Sequence, residues 1–278
     1  MDDAVIGGRR AVCAGIRTGG AHLRRHVRKG VEMNAIEIDG LNYRYPDGTV
    51  ALRNLRFVIP EGECVALLGP NGSGKSTLLL HLNGILPEQP GDAVRILGQA
   101  IRRDNLETIR REVGLVFQDP DDQLFCPTVG EDVAFGPRQL GLAEGEIAAR
   151  VKRTLAQTGL TGFAERATHH LSHGEKRRAC LAGVLACEPK VLVFDEPTSD
   201  LDPRGRREFK ALLREIHATK VIATHDLELA VELCPRTIIL DKGEVIADGP
   251  TLKLLADEAL MLAHGLEKPH ILHHLHPH

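Results

Sequence analysis

The segment Gly69–Thr77 constrains the fold of this chain more than any other, because it matches the pattern G-x-x-x-x-G-K-[ST] in full. The apolar run Cys64–Leu68 before it predicts a buried strand, and Leu78–Leu82 after it predicts a buried helix. A glycine-rich loop between a strand and a helix lets backbone N–H groups converge on a phosphate. We predict that the whole loop surrounds such an anion, with contacts from Gly69, Pro70, Asn71, Gly72, Ser73, Gly74, Lys75, Ser76 and Thr77.

Two side chains of this loop have predicted roles of their own. Lys75 supplies a positive charge for the outer phosphates, and Ser76 offers a hydroxyl to Mg²⁺, which prefers oxygen ligands. A glycine turn that binds nothing is the alternative, and the complete motif with its correct flanks disfavours it.

The bulk composition is that of an ordinary globular protein. The chain has 278 residues, of which 42% are hydrophobic and 26% charged, and its net charge is -3. This charge gives no support for general nucleic-acid binding. The six cysteines include no C-x-x-C pair, which favours a reduced compartment. No apolar run has the length needed to cross a bilayer, so a membrane function would require another chain.

Strand and helix patterns alternate through most of the chain. Turn signals at Pro46–Gly48 and Pro60–Gly62 divide the region 36–59 into antiparallel strands. Helical patterns dominate from about residue 119 to 180, after which strands and helices alternate again. We therefore predict an α/β fold with a mostly parallel core sheet, an antiparallel β subdomain and an inserted helical subdomain.

The two ends differ from the main domain, which we expect at 33–250. Residues 1–32 are basic with poor apolar periodicity and predict a disordered extension, unless Met33 is the true start. Residues 251–278 predict a histidine-rich tail. Imidazole suits Co²⁺ and Ni²⁺, so a transition-metal site is predicted there, with a plain solvated tail or a remnant of cloning as alternatives. Its candidate ligands are His270, His273, His274, His276 and His278.

Four polar residues follow predicted strands and are expected to meet the phosphate loop at one sheet edge. Asp195 ends an apolar strand and is a predicted Mg²⁺ ligand with Ser76, while Glu196 is the predicted general base for an attacking water. His225 ends another strand and would contact the γ-phosphate, or else belong to the loop before the next helix. Gln118 would contact the metal or the water, although a surface glutamine is the alternative.

The segment Leu171–Glu175 opens a predicted helix. Ser172 and Glu175 have the S-x-x-E spacing of a capping box. The same helix N-terminus, with Ser172, Glu175 and the unobstructed amide of Gly174, would hold a phosphate from a second subunit. The two interpretations are compatible.

The chain resembles the ATP-binding-cassette (ABC) transporter ATPases over about residues 34–250. The resemblance rests on motif order: the phosphate loop, Gln118, Leu171–Glu175, Asp195–Glu196, Ser199–Asp202 and His225. It implies a P-loop NTPase fold with a RecA-like mixed sheet core, ATP and Mg²⁺ as cofactors, and a head-to-tail dimer closing over two ATP molecules. It also implies that Tyr45 stacks on adenine, with Tyr43 as the competing candidate.

Within this family the chain resembles the energy-coupling-factor class, and more narrowly the cobalt/nickel uptake ATPases. The segments that carry this resemblance are Phe117–Phe125, Thr128–Val129 and Asp132–Pro137. The resemblance implies a second ABC ATPase subunit, a transmembrane coupling protein contacted by the segment after Gln118, and a substrate-binding membrane component. The expected location is the cytoplasmic face of the cell membrane, with the ATPase bound peripherally. His173 stands where glycine is usual, which leaves its effect on ATP turnover open.

The expected function is therefore ATP hydrolysis that drives uptake of cobalt or nickel through separate membrane components. One alternative is a vitamin importer of the same class, because substrate choice would lie in another chain. Another is a soluble, non-transport ABC ATPase acting on DNA or ribosomes. The stretch between Lys75 and Ser172 lacks the sustained heptads of the DNA-acting members, and the chain has one cassette rather than two.

Overall fold

The computed structural model describes residues 33–86 and 92–267, which form two β-sheets and nine α-helices within those ranges. The strands are β1 (Asn34–Arg44), β2 (Val50–Pro60), β3 (Cys64–Leu68), β4 (Val94–Ile96), β5 (Gln99–Ala100), β6 (Val113–Val116), β7 (Val191–Asp195), β8 (Thr219–Ala223), β9 (Arg236–Asp241) and β10 (Glu244–Pro250). The helices are α1 (Lys75–Leu82), α2 (Leu106–Glu112), α3 (Val129–Gln139), α4 (Glu144–Gln157), α5 (His173–Ala186), α6 (Pro203–Glu215), α7 (Leu227–Leu233), α8 (Thr251–Ala256) and α9 (Glu258–Ala263). The predicted extension 1–32 and the tail residues His270, His273, His274, His276 and His278 lie outside the described residues.

The smaller sheet is antiparallel and has the strand order β2–β1–β4–β5. Ile36 of β1 pairs with Ile59 of β2 on one side and with Ile96 of β4 on the other. Buried and exposed side chains alternate toward the end of β2, as expected for a strand with one face on the core. This sheet confirms the predicted antiparallel β subdomain.

The larger sheet has six strands in the order β10–β9–β3–β8–β7–β6. The five strands from β9 to β6 are parallel, and β10 joins β9 in the antiparallel sense, so the predicted mixed sheet is confirmed. The runs Cys64–Leu68 and Val191–Phe194 are buried throughout because separate apolar clusters cover both faces of the sheet. Parallel pairing brings the carboxyl ends of β3, β7 and β8 to one edge, where the predicted chemistry lies.

The helical subdomain lies in the chain between β6 and β7. Helices α3, α4 and α5 enclose an apolar cluster of their own, which includes Val129, Val133, Leu155 and Ala182. Helix α5 continues to Ala186, past the predicted boundary near residue 180. Its Cys180 and Leu181 side chains pack with the central sheet. Helix α5 therefore joins the subdomain to the sheet.

Residues 251–266 form part of the main domain, so the predicted start of a tail at residue 251 is wrong for this stretch. Helices α8 and α9 bury Leu255 and Met261 in the same cluster as Leu229 of α7. Each helix has only six residues, too few to show a helical period in the sequence.

Candidate active site

The phosphate loop packs closely against β9 and β2, and its glycines make this close packing possible. Gly69 has φ +152°, and a Cβ there would lie 2.1 Å from the backbone oxygen of Leu240 on β9. Gly74 has φ +104°, and a Cβ there would lie 2.7 Å from the backbone oxygen of Ala51 on β2. A larger residue at either position would displace the loop from the strands that shape it.

Lys75 folds back over the loop. Its Nζ donates to the backbone oxygens of Gly69 at 2.8 Å and Pro70 at 3.2 Å. Burial lowers the pKa of Lys75, and the charges of Glu196 and Asp195 act against that shift. The Ser73 hydroxyl oxygen is buried and has no hydrogen-bond partner in the described part of the chain. A buried cation and an unpartnered hydroxyl in one loop fit an anionic phosphate.

Asp195 and Ser76, the predicted Mg²⁺ ligands, lie in contact with each other. The Ser76 hydroxyl donates to the Asp195 carboxylate, yet burial raises the pKa of Asp195 above its usual range. A bound cation would favour the ionised form that burial disfavours. Residues 33–86 and 92–267 contain no group of three or more His, Cys, Asp or Glu side chains arranged to hold a metal. The Ser76 and Asp195 side chains offer oxygen atoms, the ligands that Mg²⁺ prefers, and Mg²⁺ usually takes its other ligands from phosphate and water.

Glu196 is held in a strained backbone conformation directly after β7. Its φ is +44°, in the left-handed region, and its N–H donates to the Ala223 oxygen at 2.8 Å. Its carboxylate oxygen Oε2 accepts from the Thr224 hydroxyl at 3.1 Å and the His225 N–H at 3.2 Å, and lies 2.8 Å from His225 Nδ1. The Ser199 hydroxyl donates to the Glu196 backbone oxygen at 2.9 Å. Strain maintained by this many contacts is typical of functional positions.

One cavity of about 690 Å³ brings the predicted nucleotide and catalytic residues together. Its size falls within the range of ligand pockets. Its walls include the whole phosphate loop together with Tyr45, Thr49, Val50, Ala51, Gln118, Asp195, Glu196, His225, Gly265 and Leu266. Sequence reasoning missed Gly265 and Leu266, because neither residue type carries a chemical signal and only long-range packing brings them here.

The two candidate tyrosines have different surroundings. Tyr45 lines the cavity, and its hydroxyl is hydrogen bonded to the Thr77 hydroxyl at 2.9 Å. Tyr43 is buried and packs edge-on against Tyr45 and His81, with ring centroids 5.0 and 4.6 Å away. Only Tyr45 presents a surface to a ligand in the cavity.

The residues of Leu171–Glu175 lie elsewhere. Ser172 caps α5, and both its N–H and its hydroxyl donate to Glu175 Oε2, at 2.8 and 2.7 Å. The hydrogen bond from the Ser172 N–H lowers the pKa of Glu175. This confirms the predicted capping box. Ser172, Gly174 and Glu175 do not line the cavity of their own chain.

The segment after Gln118 borders a second cavity of about 310 Å³ between β6, α3 and α5. Phe125 and Phe135 at its rim are 65% and 41% exposed, and their rings pack edge-to-face at 4.8 Å. Val129, which follows this segment, is buried in the helical subdomain. We call this surface the phenylalanine groove, defined by Phe117, Leu124, Phe125 and Phe135.

Comparison with known proteins gives consistent matches. The ABC transporter family model matches residues 52–199. A putative ABC transporter ATP-binding protein of Gloeobacter violaceus is 54% identical, over 84% of this chain and 96% of that protein. The energy-coupling factor transporter ATP-binding protein EcfA of Methanothermobacter thermautotrophicus is 47% identical, over 84% of this chain and 76% of that protein.

Two solved structures share the fold. The structure of cbiO1 from Clostridium perfringens, described as part of the ABC transporter complex cbiONQ, matches with a TM-score of 0.74 and 40% identity, over 87% of this chain and 98% of that one. The ATP-binding cassette MJ0796, a dimer in a post-hydrolysis state bound to ADP and Pi, matches with a TM-score of 0.70 and 29% identity, over 78% of this chain and 98% of that one.

Proposed function

The chain belongs to the ABC transporter family of ATP-binding proteins, and from this premise we propose that it is the ATPase subunit of an energy-coupling-factor importer for cobalt or nickel. ATP hydrolysis is the activity of this family. The observation that carries the proposal for this site is the meeting of Lys75, Ser76, Asp195 and Glu196 in one cavity. The cavity does not identify the membrane partners or the substrate, which we propose from other features of the chain.

Different residues of the cavity have different roles in phosphoryl transfer from ATP to water. The loop amides and Lys75 bind the phosphates, and the adenine end of ATP lies toward Tyr45. Mg²⁺, when bound through Ser76 and Asp195, neutralises phosphate charge. Glu196 accepts a proton from the attacking water, a role worth about 10²–10⁴ in rate. His225 positions the Glu196 carboxylate through two contacts to Oε2.

A second cassette completes the site in this proposal. Ser172 and Gly174 stand at the N-terminus of a 14-residue helix, a position that favours a phosphate. They do not line the cavity of their own chain, so we propose that they contact the ATP held by a partner copy. The dimeric state of the MJ0796 cassette supports this arrangement.

The phenylalanine groove is the proposed contact with a transmembrane coupling protein. Phe125 and Phe135 leave large apolar surfaces exposed next to the segment that begins at Gln118. None of the helices within the described ranges is long and apolar enough to cross a bilayer. We propose that the chain works peripherally at the cytoplasmic face of the membrane, beside a coupling protein and a substrate-binding component. The similarity to EcfA and to cbiO1 supports this proposal.

Cobalt or nickel is the proposed substrate on the basis of two sequence features. The segments Phe117–Phe125 and Asp132–Pro137 resemble those of the cobalt/nickel uptake ATPases, and the end of the chain is rich in histidine. A vitamin substrate is the competing proposal, because the name EcfA specifies no substrate.

Uptake measured in cells that carry the chain with its membrane partners tests this proposal. We expect the wild type to accumulate radiolabelled Co²⁺ or Ni²⁺, Lys75→Ala to lose that uptake, and the exposed control Lys152→Ala to retain it. Vitamin uptake in place of metal uptake would overturn the substrate but leave the ATPase. Full uptake by Lys75→Ala would contradict the role of the phosphate loop.

A further inference from the structure

A turn near the end of the described chain forms part of the nucleotide cavity. We call His264–Leu266 the C-terminal turn. Its Gly265 and Leu266 line the cavity of about 690 Å³ that also holds Glu196 and His225. The same two residues and His225 line a neighbouring, more polar cavity of about 480 Å³. Gly265, Leu266 and His225 therefore lie where the two cavities adjoin.

Local hydrogen bonds fix the shape of this turn. The Leu266 N–H donates to the Met261 oxygen at 2.9 Å, and the Gly265 N–H donates to the Leu262 oxygen at 3.3 Å. Gly265 has φ +68°, as is usual for a glycine that ends a helix. Met261 is buried, so α9 itself is anchored in the core. The direction in which the chain leaves α9 is thus defined by the fold.

A side-chain contact anchors the turn beside the phosphate loop. His264 Nδ1 lies 2.9 Å from Oδ2 of Asp241, the last residue of β9, and both side chains are mostly buried. The preceding residue, Leu240, has the backbone oxygen that packs against Gly69. The strand that shapes the phosphate loop therefore also holds the C-terminal turn.

The turn approaches the loop closely. A Cβ at Gly265 would lie 3.8 Å from Cβ of Pro70, which is ordinary van der Waals contact. Leu266 is 8% exposed and belongs to the apolar cluster on this face of the sheet. Leu266 also lines both cavities together with His225, so it places an apolar residue beside His225, whose Nδ1 lies 2.8 Å from the Glu196 carboxylate.

We propose that Leu266 is a positioning residue for hydrolysis, which closes the site beside His225 and Glu196 against bulk water. The inference rests on the proposed role of Glu196 in the same cavity. An apolar wall lowers the effective dielectric around Lys75 and Glu196, which strengthens their interactions with the reacting phosphate and water. It also limits the positions open to the attacking water. His264 and Asp241 hold this wall in place.

Steady-state kinetics of purified protein with Mg-ATP test the proposal. We expect Leu266→Ala to lower kcat about tenfold while KM for ATP changes less than about twofold, because the wall lies beside His225 and Glu196. The control Leu262→Ala, on the preceding helix α9 and 62% exposed, should leave both constants unchanged. Leu266→Met restores the apolar volume and should recover most of kcat.

Two further variants keep the test decisive if Leu266→Ala lowers the melting temperature. His264→Ala removes the contact with Asp241 that holds the turn and leaves Leu266 in place, so this variant should also lower kcat. An unchanged kcat in both His264→Ala and Leu266→Ala, with Glu196→Gln inactive, would overturn this inference alone. A raised KM with normal kcat in Leu266→Ala would also overturn it. Full activity of Glu196→Gln would instead contradict the proposed catalytic function.

Discussion

Replacing Glu196 with glutamine separates nucleotide binding from hydrolysis. Glu196 is 8% exposed, and its Oε2 accepts from the Thr224 hydroxyl and the His225 N–H. A glutamine carbonyl oxygen can accept the same two hydrogen bonds, so we expect the fold of the site to persist. The amide cannot accept a proton from water. The substitution therefore removes the proposed base and its negative charge but keeps these two hydrogen bonds.

The expected loss follows from the role assigned to Glu196. General-base catalysis contributes about 10²–10⁴ in rate, which corresponds to about 2.7–5.4 kcal/mol of activation free energy. The charge of Glu196 also contributes to the raised pKa of Asp195. Its removal should make Asp195 easier to ionise and so support Mg²⁺ binding. We therefore expect Mg-ATP affinity to be retained or increased in Glu196→Gln.

The assay combines phosphate release at saturating Mg-ATP with equilibrium binding of a fluorescent ATP analogue. The matched control is Glu165→Gln, a charge-removing substitution at an exposed residue, which should match the wild type in both measurements. The reasoning would be refuted if Glu196→Gln kept more than about half of the wild-type turnover, given the contribution expected of a general base. Loss of ATP binding in this variant would equally contradict it.

Three other predictions concern the cavity and the residues that support it. Gly69→Ala should abolish ATP binding, because the new Cβ would lie 2.1 Å from the backbone oxygen of Leu240. Gly72→Ala should weaken ATP binding less, because no atom lies within 4 Å of the new Cβ. Titration calorimetry measures both affinities. Arg177 is fully buried and donates to the Ser199 hydroxyl at 2.8 Å, so Arg177→Met should lower kcat about tenfold while circular dichroism shows an intact fold. Burial raises the pKa of Asp195 above its usual 3.8, so ionising this carboxyl group destabilises the folded state. The ligand-free wild type should therefore lose stability relative to Asp195→Asn as the pH rises from 3.8 to the raised pKa. At pH 5–8 we expect the variant to have the higher melting temperature.

Local patterns account for what the sequence predicts well. The strand before the loop, the loop itself and α1 are contiguous, and each has its own signal in composition or spacing. Ser172 and Glu175 are three residues apart, so their capping box is also a local feature. Asp195, Glu196 and His225 could be assigned to one edge because the carboxyl ends of parallel strands meet there.

Long-range packing accounts for what the sequence does not predict. Tyr43 and Tyr45 are close in sequence and identical in type, so only their burial distinguishes them. Leu266 reaches the nucleotide cavity through the packing of α9 and the contact between His264 and Asp241. Arg177 lies on α5 and supports Ser199, a connection across 22 positions that no periodicity reveals.

We propose that one chain binds ATP in the cavity at Gly69–Thr77 and that a second cassette must complete the site before hydrolysis. Turnover per chain, measured at saturating Mg-ATP over a wide range of protein concentration, tests this claim most directly. We expect turnover per chain to fall toward zero on dilution, in step with the loss of dimer observed by light scattering. A turnover per chain that stays constant where only monomer is present would contradict it.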